Sequence, residues 1–341
     1  MTILKKRIGL IGLGRMGARL TDVVNDLGWD VVAALDASTT PFALGQHQNL
    51  ADVFTTDANT FWQTSMDAAI IATTAPSHIS FLFQGLSCGV RRFLIEKPFC
   101  TNIDEGMRAL DQVRRMDARV VVNHGRRYCP NYARLMALDG TPAMGSLRAI
   151  SVTLGAGGLG CLGIHYLDLF NQLFGGPPQR VMASISGTAP PNPRGPQFED
   201  PGACALMVWP DGRRAMLDIS DDTGIPPLLE FRYTYGRILV ENESQPWRVF
   251  HRSDGDRELP LTRYGQPHLE GPLPDFTPFS LMDMSAMALK NLFDDKPVIS
   301  TIERALDALC VFAAIREAGV TNAPFHLPLL EETRLKSYAI P

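Results

Sequence analysis

The chain has 341 residues, of which 45% are hydrophobic and 20% charged, a composition typical of a globular protein long enough for two domains. Its formal net charge of −4, without a basic block, gives no electrostatic case for binding nucleic acid or a membrane surface. The six cysteines include no C-x-x-C pair and the seven histidines show no metal-ligand spacing, so neither a disulfide framework nor a metal site is expected. The apolar run behind Lys5-Lys6-Arg7 is too short for a signal peptide, and no run approaches the length of a membrane span, which indicates a cytoplasmic protein.

The first predicted elements are a strand, a glycine-rich turn, a helix and a second strand. The apolar run Ile8–Ile11 predicts a buried strand and leads into Gly12-Leu13-Gly14-Arg15-Met16-Gly17, which has the spacing G-x-G-x-x-G. Apolar residues at helical spacing follow from Met16 to Leu27, and Val31–Leu35 predicts the second strand. The three glycines allow a tight turn, a close approach of backbone amides to a pyrophosphate, and close packing of helix on strand. In this order the elements predict a dinucleotide-binding site, with a purely structural turn as the alternative.

Asp36, at the end of the second predicted strand, discriminates between cofactors. A carboxylate in this position takes the ribose hydroxyls of a dinucleotide and repels a 2′-phosphate. Residues 37–40 contain no Arg or Lys that would neutralise such a phosphate. The sequence therefore favours NAD over NADP, although Arg15 is a cation that a phosphate could reach.

Strand and helix continue to alternate up to about residue 122. Strands are predicted at 66–72, 92–95 and 119–122, and Thr101 with Asp104 predicts a capping box at the start of a helix. This alternation predicts a parallel, doubly wound sheet that binds NAD(P) beyond the carboxyl ends of its strands, with residues 1–122 as its domain. The candidate cofactor-binding residues at that edge are Gly12, Leu13, Gly14, Arg15, Met16, Gly17, Asp36, Thr73, Thr74, His78, Glu96 and Lys97.

The pattern changes after residue 122, and residues 123–341 predict an α+β domain with a mostly antiparallel sheet. A helix is expected at about 160–174, and hairpins at 204–219 and 229–241, the first through Pro210-Asp211-Gly212. Irregular stretches are expected at 189–201 and 253–278, and a closing helix from Ser300.

Two groups of residues suggest chemistry. Lys97 lies between Glu96 and Pro98 at the end of a predicted strand, where it faces the expected nicotinamide site; a solvated surface lysine is the alternative. Cys161, His165 and Asp168 are four and three residues apart, so they can share one face of the predicted helix. A structural histidine is the alternative there, and a nucleophilic Cys161–His165 pair has no acyl-transfer constellation to accompany it.

Together these motifs resemble the glucose–fructose oxidoreductase, inositol dehydrogenase and MocA (Gfo/Idh/MocA) family of NAD(P)-dependent sugar and cyclitol oxidoreductases. The resemblance extends over nearly the whole chain and implies a Rossmann domain followed by a domain with a large open sheet, whose free face commonly forms a dimer or tetramer interface. It rests on the glycine-rich turn, Glu96-Lys97-Pro98, Arg127-Tyr128 followed by Pro130, Met144–Leu147, and Gly163-x-His165-x-x-Asp168.

The resemblance implies two catalytic residues. Lys97 would hydrogen-bond the reacting oxygen, and His165 would take the hydroxyl proton, with Asp168 in support or in helix packing. Cys161 stands where many members have an aspartate, so the substrate lacks that contact, another residue provides it, or dehydrogenase activity is lost. The remaining substrate-side candidates are Arg127 and Tyr128, for which ion pairs and core packing are equally good explanations.

We therefore expect an NAD(P)-dependent enzyme that interconverts a secondary alcohol and a ketone on a sugar, cyclitol or sugar derivative, without a metal. Its expected partners are a small polyol or sugar-like substrate and further copies of itself, in a homodimer or homotetramer formed through the second domain's sheet. An NAD-dependent glycosidase of the same fold and a non-catalytic NAD-binding regulator are the alternatives, and Cys161 motivates the second of these.

Overall fold

The computed structural model describes residues 5–155, 157–186, 191–220, 222–262 and 268–341. The chain divides into two compact units. The first contains the residues up to Tyr128 together with Leu281–Leu306 and Arg334–Pro341, and the second contains Cys129–Ser280 and Asp307–Thr333. Two segments from the end of the chain therefore belong to the first unit, in addition to the residues before Tyr128.

The first unit is built on a six-stranded parallel sheet, in the order β3-β2-β1-β4-β5-β6. This arrangement confirms the doubly wound sheet that strand–helix alternation predicts. The strands are β1 (Arg7–Ile11), β2 (Asp30–Leu35), β3 (Phe54–Thr55), β4 (Ala68–Ile71), β5 (Arg92–Ile95) and β6 (Arg119–Val122). The helices between them are α1 (Arg15–Asp26), α2 (Phe42–Gln46), α3 (Ala58–Gln63), α4 (His78–Ser87) and α5 (Ile103–Arg115), with 3-10 turns at Gln48–Val53, Ala75–Ser77 and Gly125–Tyr128.

The cap of one helix in this unit differs from the sequence-based expectation. The helix α5 is capped by Asn102, whose side chain accepts a hydrogen bond from the backbone N of Glu105, one residue later than the expected cap at Thr101. Ser77, the N-cap residue of α4, makes no side-chain cap hydrogen bond, because a 3-10 turn precedes that helix. The buried face of α1 contains Leu20, Val23 and Val24, as its helical spacing predicts.

The second unit contains a nine-stranded sheet in the order β14-β13-β12-β11-β7-β10-β9-β8-β15. Among the described strands of this sheet, only the pair β10–β7 is parallel. Both predicted hairpins, β9–β10 and β11–β12, are confirmed. The strands are β7 (Leu147–Leu154), β8 (Arg180–Ile185), β9 (Ala203–Val208), β10 (Arg214–Ile219), β11 (Leu228–Tyr233), β12 (Gly236–Val240), β13 (Arg248–Arg252), β14 (His268–Pro272) and β15 (Phe325–His326). Its first helices are α6 (Pro130–Leu138) and, after a five-residue π-turn at Leu159–Gly163, α7 (Ile164–Phe174).

The two expected irregular stretches have different outcomes. Within 253–278, residues 263–267 lie outside the described part of the chain, and 268–272 form strand β14, paired with β13. This strand is mostly exposed and lacks apolar alternation, which explains why the pattern did not predict it. Within 189–201, residues 189–190 lie outside the described part, and the remainder contains no helix or strand.

The sheet of the second unit has one buried face. Along β10, the exposed residues Arg214, Met216 and Asp218 alternate with buried apolar residues, and a buried aromatic cluster around Trp247 adds to the same core. Trp247 is 1% exposed and lies 5.0 Å from Tyr132 between ring centroids. It is therefore a core residue.

The chain ends with α8 (Leu281–Asn291), α9 (Ile302–Thr321) and α10 (Glu331–Arg334). Ala288 and Leu289 on α8 join the hydrophobic core of the first unit beside the buried face of α1. In the part of the chain that the structure describes, no helix is both long enough and apolar enough to cross a membrane.

Candidate functional site

The loops that follow the parallel strands are held side by side at one edge of the first unit's sheet. Backbone hydrogen bonds continue the ladder one residue past the strand ends. Gly12 N donates to Leu35 O (2.8 Å), Ala72 N to Ile11 O (2.7 Å), Glu96 N to Ile71 O (2.9 Å) and Asn123 N to Ile95 O (2.8 Å). The segments beginning at Asp36, Gly12, Ala72, Glu96 and Asn123 therefore follow one another along this edge, in the order of their strands.

The three glycines of the turn have different physical roles. Gly12 has φ +89°, and a Cβ there would lie 2.6 Å from the carbonyl carbon of Ala72, so both conformation and space require glycine. A Cβ on Gly17 would lie 2.1 Å from the carbonyl oxygen of Gly12. A Cβ on Gly14, the N-cap of α1, would have no atom within 4 Å. Packing therefore explains two glycines, whereas Gly14 leaves open space at the start of α1.

That open space suits an anion. The first turn of α1 has no acidic residue, and no side chain of the described residues caps its backbone N–H groups. Unpaired N–H groups and the positive end of the helix dipole favour a phosphate at such a position. The residues present therefore fit the pyrophosphate of a dinucleotide.

Asp36 is fixed by the turn itself. Its Oδ2 accepts a hydrogen bond from Leu13 N (2.7 Å), and its Oδ1 accepts one from Ser38 N (2.8 Å). The backbone amide of Leu13 therefore already has a protein acceptor, and the side chain of Leu13 is completely buried. Arg15 is exposed at the start of α1, and Met16 packs against the core. Of these predicted cofactor contacts, Arg15 and Asp36 are the ones with polar side chains at the edge.

His78 has a position different from the one expected for a cofactor contact. It is completely buried, and its Nδ1 and Nε2 face the carbonyl oxygens of Pro98 (2.9 Å) and Thr73 (3.0 Å). Burial lowers the pKa of His78 to about 4, so the neutral ring donates its single N–H to one of these oxygens. His78 thus links the loops after β4 and β5, and both of its ring nitrogens face protein carbonyl oxygens.

The neighbouring threonines remain candidates for the cofactor. Thr73 and Thr74 are half-buried, and the hydroxyl of Ser77 donates to the carbonyl oxygen of Thr74 (2.9 Å) and contacts Thr73 Oγ1 (2.7 Å). This network fixes the loop at the carboxyl end of β4.

Glu96 and Lys97 follow β5 with different exposure. Glu96 is buried, and its Oε1 accepts a hydrogen bond from Asn123 Nδ2 (2.6 Å). Burial raises the pKa of Glu96, while the charge of Lys97 and the hydrogen bond from Asn123 oppose the shift. Lys97 is half-buried, and its bond to Pro98 is cis. Glu96 therefore joins the loops after β5 and β6 through its hydrogen bond to Asn123, and Lys97 is the partly exposed residue of the two.

Two expected substrate contacts are buried in the first unit. Tyr128 is 6% exposed within the hydrophobic core, and its hydroxyl donates to Asn291 Oδ1 (3.0 Å). Burial raises the pKa of this hydroxyl. Arg127, beside it in the same 3-10 turn, is 7% exposed. The burial of both side chains favours the alternative of core packing that the sequence left open.

The residues around His165 lie where a π-turn becomes α7 in the second unit. Cys161 and His165 are half-buried, whereas Asp168 is completely buried, so the three do not share one equally accessible face. This difference favours a packing role for Asp168. The backbone N atoms of Gly160 and Cys161 donate to the carboxylate of Asp200, at 2.5 and 2.7 Å.

Sequence reasoning missed two polar residues of these sites. Asn123 follows β6 directly, and its place after a buried strand is a signal that could have identified it. Asp200 gives no such signal, because it lies in a proline-rich loop some 40 residues from the amides that it binds. Among the described residues, no group of three or more His, Cys, Asp or Glu is arranged to hold a metal ion.

Comparison with known proteins agrees with this architecture. Residues 6–124 match the family profile described as "Oxidoreductase family, NAD-binding Rossmann fold", and residues 135–239 match the GFO/IDH/MocA C-terminal domain, so that together they cover more than half of the chain. No curated protein sequence matches.

Solved structures share the fold at low sequence identity. An NAD-binding protein from Listeria innocua is 18% identical with a TM-score of 0.75, and the match covers 94% of this chain and 97% of that one. An Agrobacterium radiobacter oxidoreductase in complex with NAD+, L-tartaric acid and magnesium is 17% identical (TM-score 0.74; 94% and 98% covered). The UDP-N-acetylglucosamine 3-dehydrogenase of Acidithiobacillus ferrooxidans is 18% identical (TM-score 0.73; 93% and 98% covered).

The glycine-rich turn at the edge of a parallel sheet, the nine-stranded second sheet and the two profile matches agree with one another. The chain belongs to the Gfo/Idh/MocA oxidoreductase family, with an NAD-binding Rossmann fold in its first unit.

Proposed function

We propose that this protein is an NAD-dependent oxidoreductase that interconverts a secondary alcohol and a ketone on a sugar, cyclitol or sugar derivative. The observation that supports it most strongly is the open space at Gly14, at the start of a helix whose first amides have no side-chain cap among the described residues. Family membership supports the class of reaction, and the half-buried Lys97 and His165 are available for proton handling.

The preference for NAD over NADP is supported by Asp36. Its carboxylate is held by two backbone amides at the tip of β2, so it cannot easily turn away from an incoming 2′-phosphate. The following residues 37–40 provide no cation. A fixed negative charge at this position disfavours the phosphate and leaves oxygen lone pairs for ribose hydroxyls.

The reaction requires two groups from the protein. Oxidation of a secondary alcohol removes the hydroxyl proton and transfers a hydride from the carbon, and bound NAD supplies the hydride acceptor. We assign the proton to the imidazole of His165, because a neutral imidazole is a suitable base near pH 7. We assign Lys97 to the substrate oxygen, where its ammonium hydrogen-bonds the developing negative charge.

On the substrate side, accessibility separates the candidates. Cys161 is half-buried one turn before His165, which supports its assignment to the substrate-binding surface. Asp168, Arg127 and Tyr128 are at most 7% exposed, so their proposed contribution is to hold neighbouring elements in place.

We assign cofactor binding to the domain 1–122, and substrate binding and assembly to residues 123–341. The exposed face of the nine-stranded sheet supports a homodimer or homotetramer formed through this second domain. Met182, Leu206 and Met216 lie opposite one another on adjacent strands β8, β9 and β10, and they form an apolar row on that face. Light scattering should show a smaller assembly for Met216→Asp than for wild type, whereas Val320→Asp, on a residue that is 75% exposed in α9, serves as the control. An unchanged mass for Met216→Asp would reject this interface.

The decisive experiment is a screen of absorbance at 340 nm with NAD or NADP against sugars, polyols, nucleotide sugars and hydroxy acids. We expect NADH to accumulate with at least one alcohol, and kcat/KM to fall by about 100-fold or more in Lys97→Ala and His165→Ala, the usual contribution of a proton-transfer group. Lys5→Ala and His326→Ala, which change exposed residues of the same types, should behave like wild type.

Two results would favour the alternatives. Cleavage of a glycoside without net NADH would indicate an NAD-dependent glycosidase. Tight NAD binding without turnover, together with wild-type behaviour of Lys97→Ala and His165→Ala in cells, would indicate a regulator.

A further inference from the structure

The start of the helical segment that contains Cys161 and His165 is held by residues from a distant loop. Leu159 N donates to Pro201 O (3.0 Å), Gly160 N to Asp200 Oδ1 (2.5 Å), and Cys161 N to Asp200 Oδ2 (2.7 Å). Three consecutive amides are thus paired with two consecutive residues of the loop. The next two, of 162 and 163, donate to the carbonyl oxygen of Gly158.

This pairing fills a helix end that would otherwise be open. The first amides of a helix have no partner within the helix, and a carboxylate is a strong acceptor for them. Asp200 is only 8% exposed, and each of its oxygens takes one amide. The end of this helix is therefore occupied by the protein's own carboxylate.

The approach of the loop depends on a glycine. An ideal Cβ on Gly158 would lie 2.1 Å from the carbonyl oxygen of Asp200 and 2.3 Å from its Cγ. Any larger residue at 158 would displace the loop. Gly158 therefore serves the contact with Asp200, which gives this one small residue a structural explanation.

We propose that Asp200 is a positioning residue that fixes the backbone of the segment containing Cys161 and His165. The expected effect of Asp200 on turnover rests on the proposed function, whereas its expected effect on the backbone of residues 159–161 is independent of that function. Cys161 is bonded through its own amide, and His165 follows one turn later on the same continuous helical segment. Movement of this helix start would shift both side chains relative to the substrate.

Two variants of Asp200 remove its hydrogen bonds to the helix amides partly or completely, and a variant of Glu199 controls for the change in charge. Asp200→Asn keeps the size of the side chain but has one acceptor oxygen for two amides, and Asp200→Ala has none. Glu199→Gln removes a negative charge from the adjacent residue, whose side chain is 77% exposed.

Hydrogen exchange tests the contact without any need for turnover. In the full-length protein, we expect exchange in the peptide covering 157–163 to accelerate by about tenfold or more in Asp200→Ala, to a lesser degree in Asp200→Asn, and not in Glu199→Gln. Exchange in β1 and α1 should be unchanged in all three variants. Wild-type exchange of 157–163 in Asp200→Ala would overturn the proposal.

Steady-state kinetics test the functional consequence. With the alcohol identified in the 340 nm screen, we expect kcat to fall at least tenfold in Asp200→Ala while the KM for NAD is unchanged, and Asp200→Asn to recover part of the loss. An unchanged kcat with accelerated exchange would overturn the positioning role. If the wild-type protein oxidises no alcohol in the panel, the proposed function fails, and the exchange result still decides whether Asp200 anchors the helix.

Discussion

The second and third glycines of the turn before α1, Gly14 and Gly17, should respond in opposite ways to one added methyl group. At Gly14 the backbone has φ −72° and ψ −163°, which any residue can adopt, and the new Cβ would have no neighbour within 4 Å. We expect Gly14→Ala to cost at most about 1 kcal/mol of unfolding free energy, from the poorer N-cap preference of alanine. At Gly17 the Cβ would lie 2.1 Å from the carbonyl oxygen of Gly12, where no side-chain rotation can relieve the clash.

The expected loss for Gly17→Ala is therefore larger, about 2 kcal/mol or more, even after the helix propensity gained from alanine. Gly14→Ala and Gly17→Ala each add one methyl group, at positions three residues apart, so each variant is the control for the other. Urea unfolding without ligand measures this difference directly.

Ligand binding should show the reverse order. A methyl group at Gly14 occupies the space that we assign to the pyrophosphate, and we expect NAD affinity to fall about tenfold or more, which is about 1.4 kcal/mol. At an NAD concentration of 100 times the wild-type Kd, wild type gains about 2.7 kcal/mol from binding, and the variant should gain only about half of this.

Thermal unfolding with and without NAD, with calorimetric titration for the Kd, measures both quantities. Wild-type NAD affinity in Gly14→Ala would show that the open space is not a pyrophosphate site. Wild-type stability in Gly17→Ala would show that the close contact with Gly12 is not required by the fold.

Three further changes test the remaining assignments. Asp36→Ser should raise the ratio of kcat/KM for NADP to that for NAD by about tenfold or more, because it removes the charge that repels a 2′-phosphate, whereas an unchanged ratio would reject this role. Tyr128→Phe should lower the free energy of unfolding by about 1 kcal/mol through the lost hydrogen bond to Asn291, and should leave the substrate KM unchanged. A raised KM would instead indicate that Tyr128 contacts the substrate. The pKa of His78 is lowered from 6.5 to about 4, so its stabilisation is complete above pH 6.5 and falls by up to about 3 kcal/mol as the pH decreases to 4. Urea unfolding of His78→Gln should lack this dependence, and equal pH profiles would contradict the burial argument.

Local patterns predicted the parts of the fold that local geometry determines. The order of β1, the glycine turn, α1 and β2 was predictable because each step depends on residues close in sequence. The hairpin β9–β10 was predictable for the same reason, since Asp211-Gly212 lies between two alternating runs. The cap of α5 was predicted one residue early because Thr101 and Asn102 are both good capping residues, and only the structure shows which side chain bonds an amide.

Burial of individual side chains is the part of the candidate site that the sequence could not predict. His78 was a candidate for cofactor contact at the carboxyl edge of the sheet, and Tyr128 was a candidate for substrate contact beside Arg127. In the structure they bond to Thr73, Pro98 and Asn291, in contacts that tertiary packing decides. Sequence spacing places a residue at an edge of the sheet, but it does not determine whether the side chain points to solvent or into the core.

The comparison of α1 with α7 shows why a glycine-rich helix start does not by itself define a ligand site. Both helical segments follow a run with closely spaced glycines, and both have an aspartate bonded to backbone amides near their first turn. At α1, Asp36 bonds the amide of Leu13, before the N-cap Gly14, and so leaves the helix end open. Before α7, Asp200 bonds the amides of Gly160 and Cys161 inside the helical segment and fills its end. A carboxylate that bonds the amide before the N-cap therefore leaves such a turn able to accept a phosphate, whereas one that bonds the amides two and three residues after the N-cap anchors the turn to its own chain.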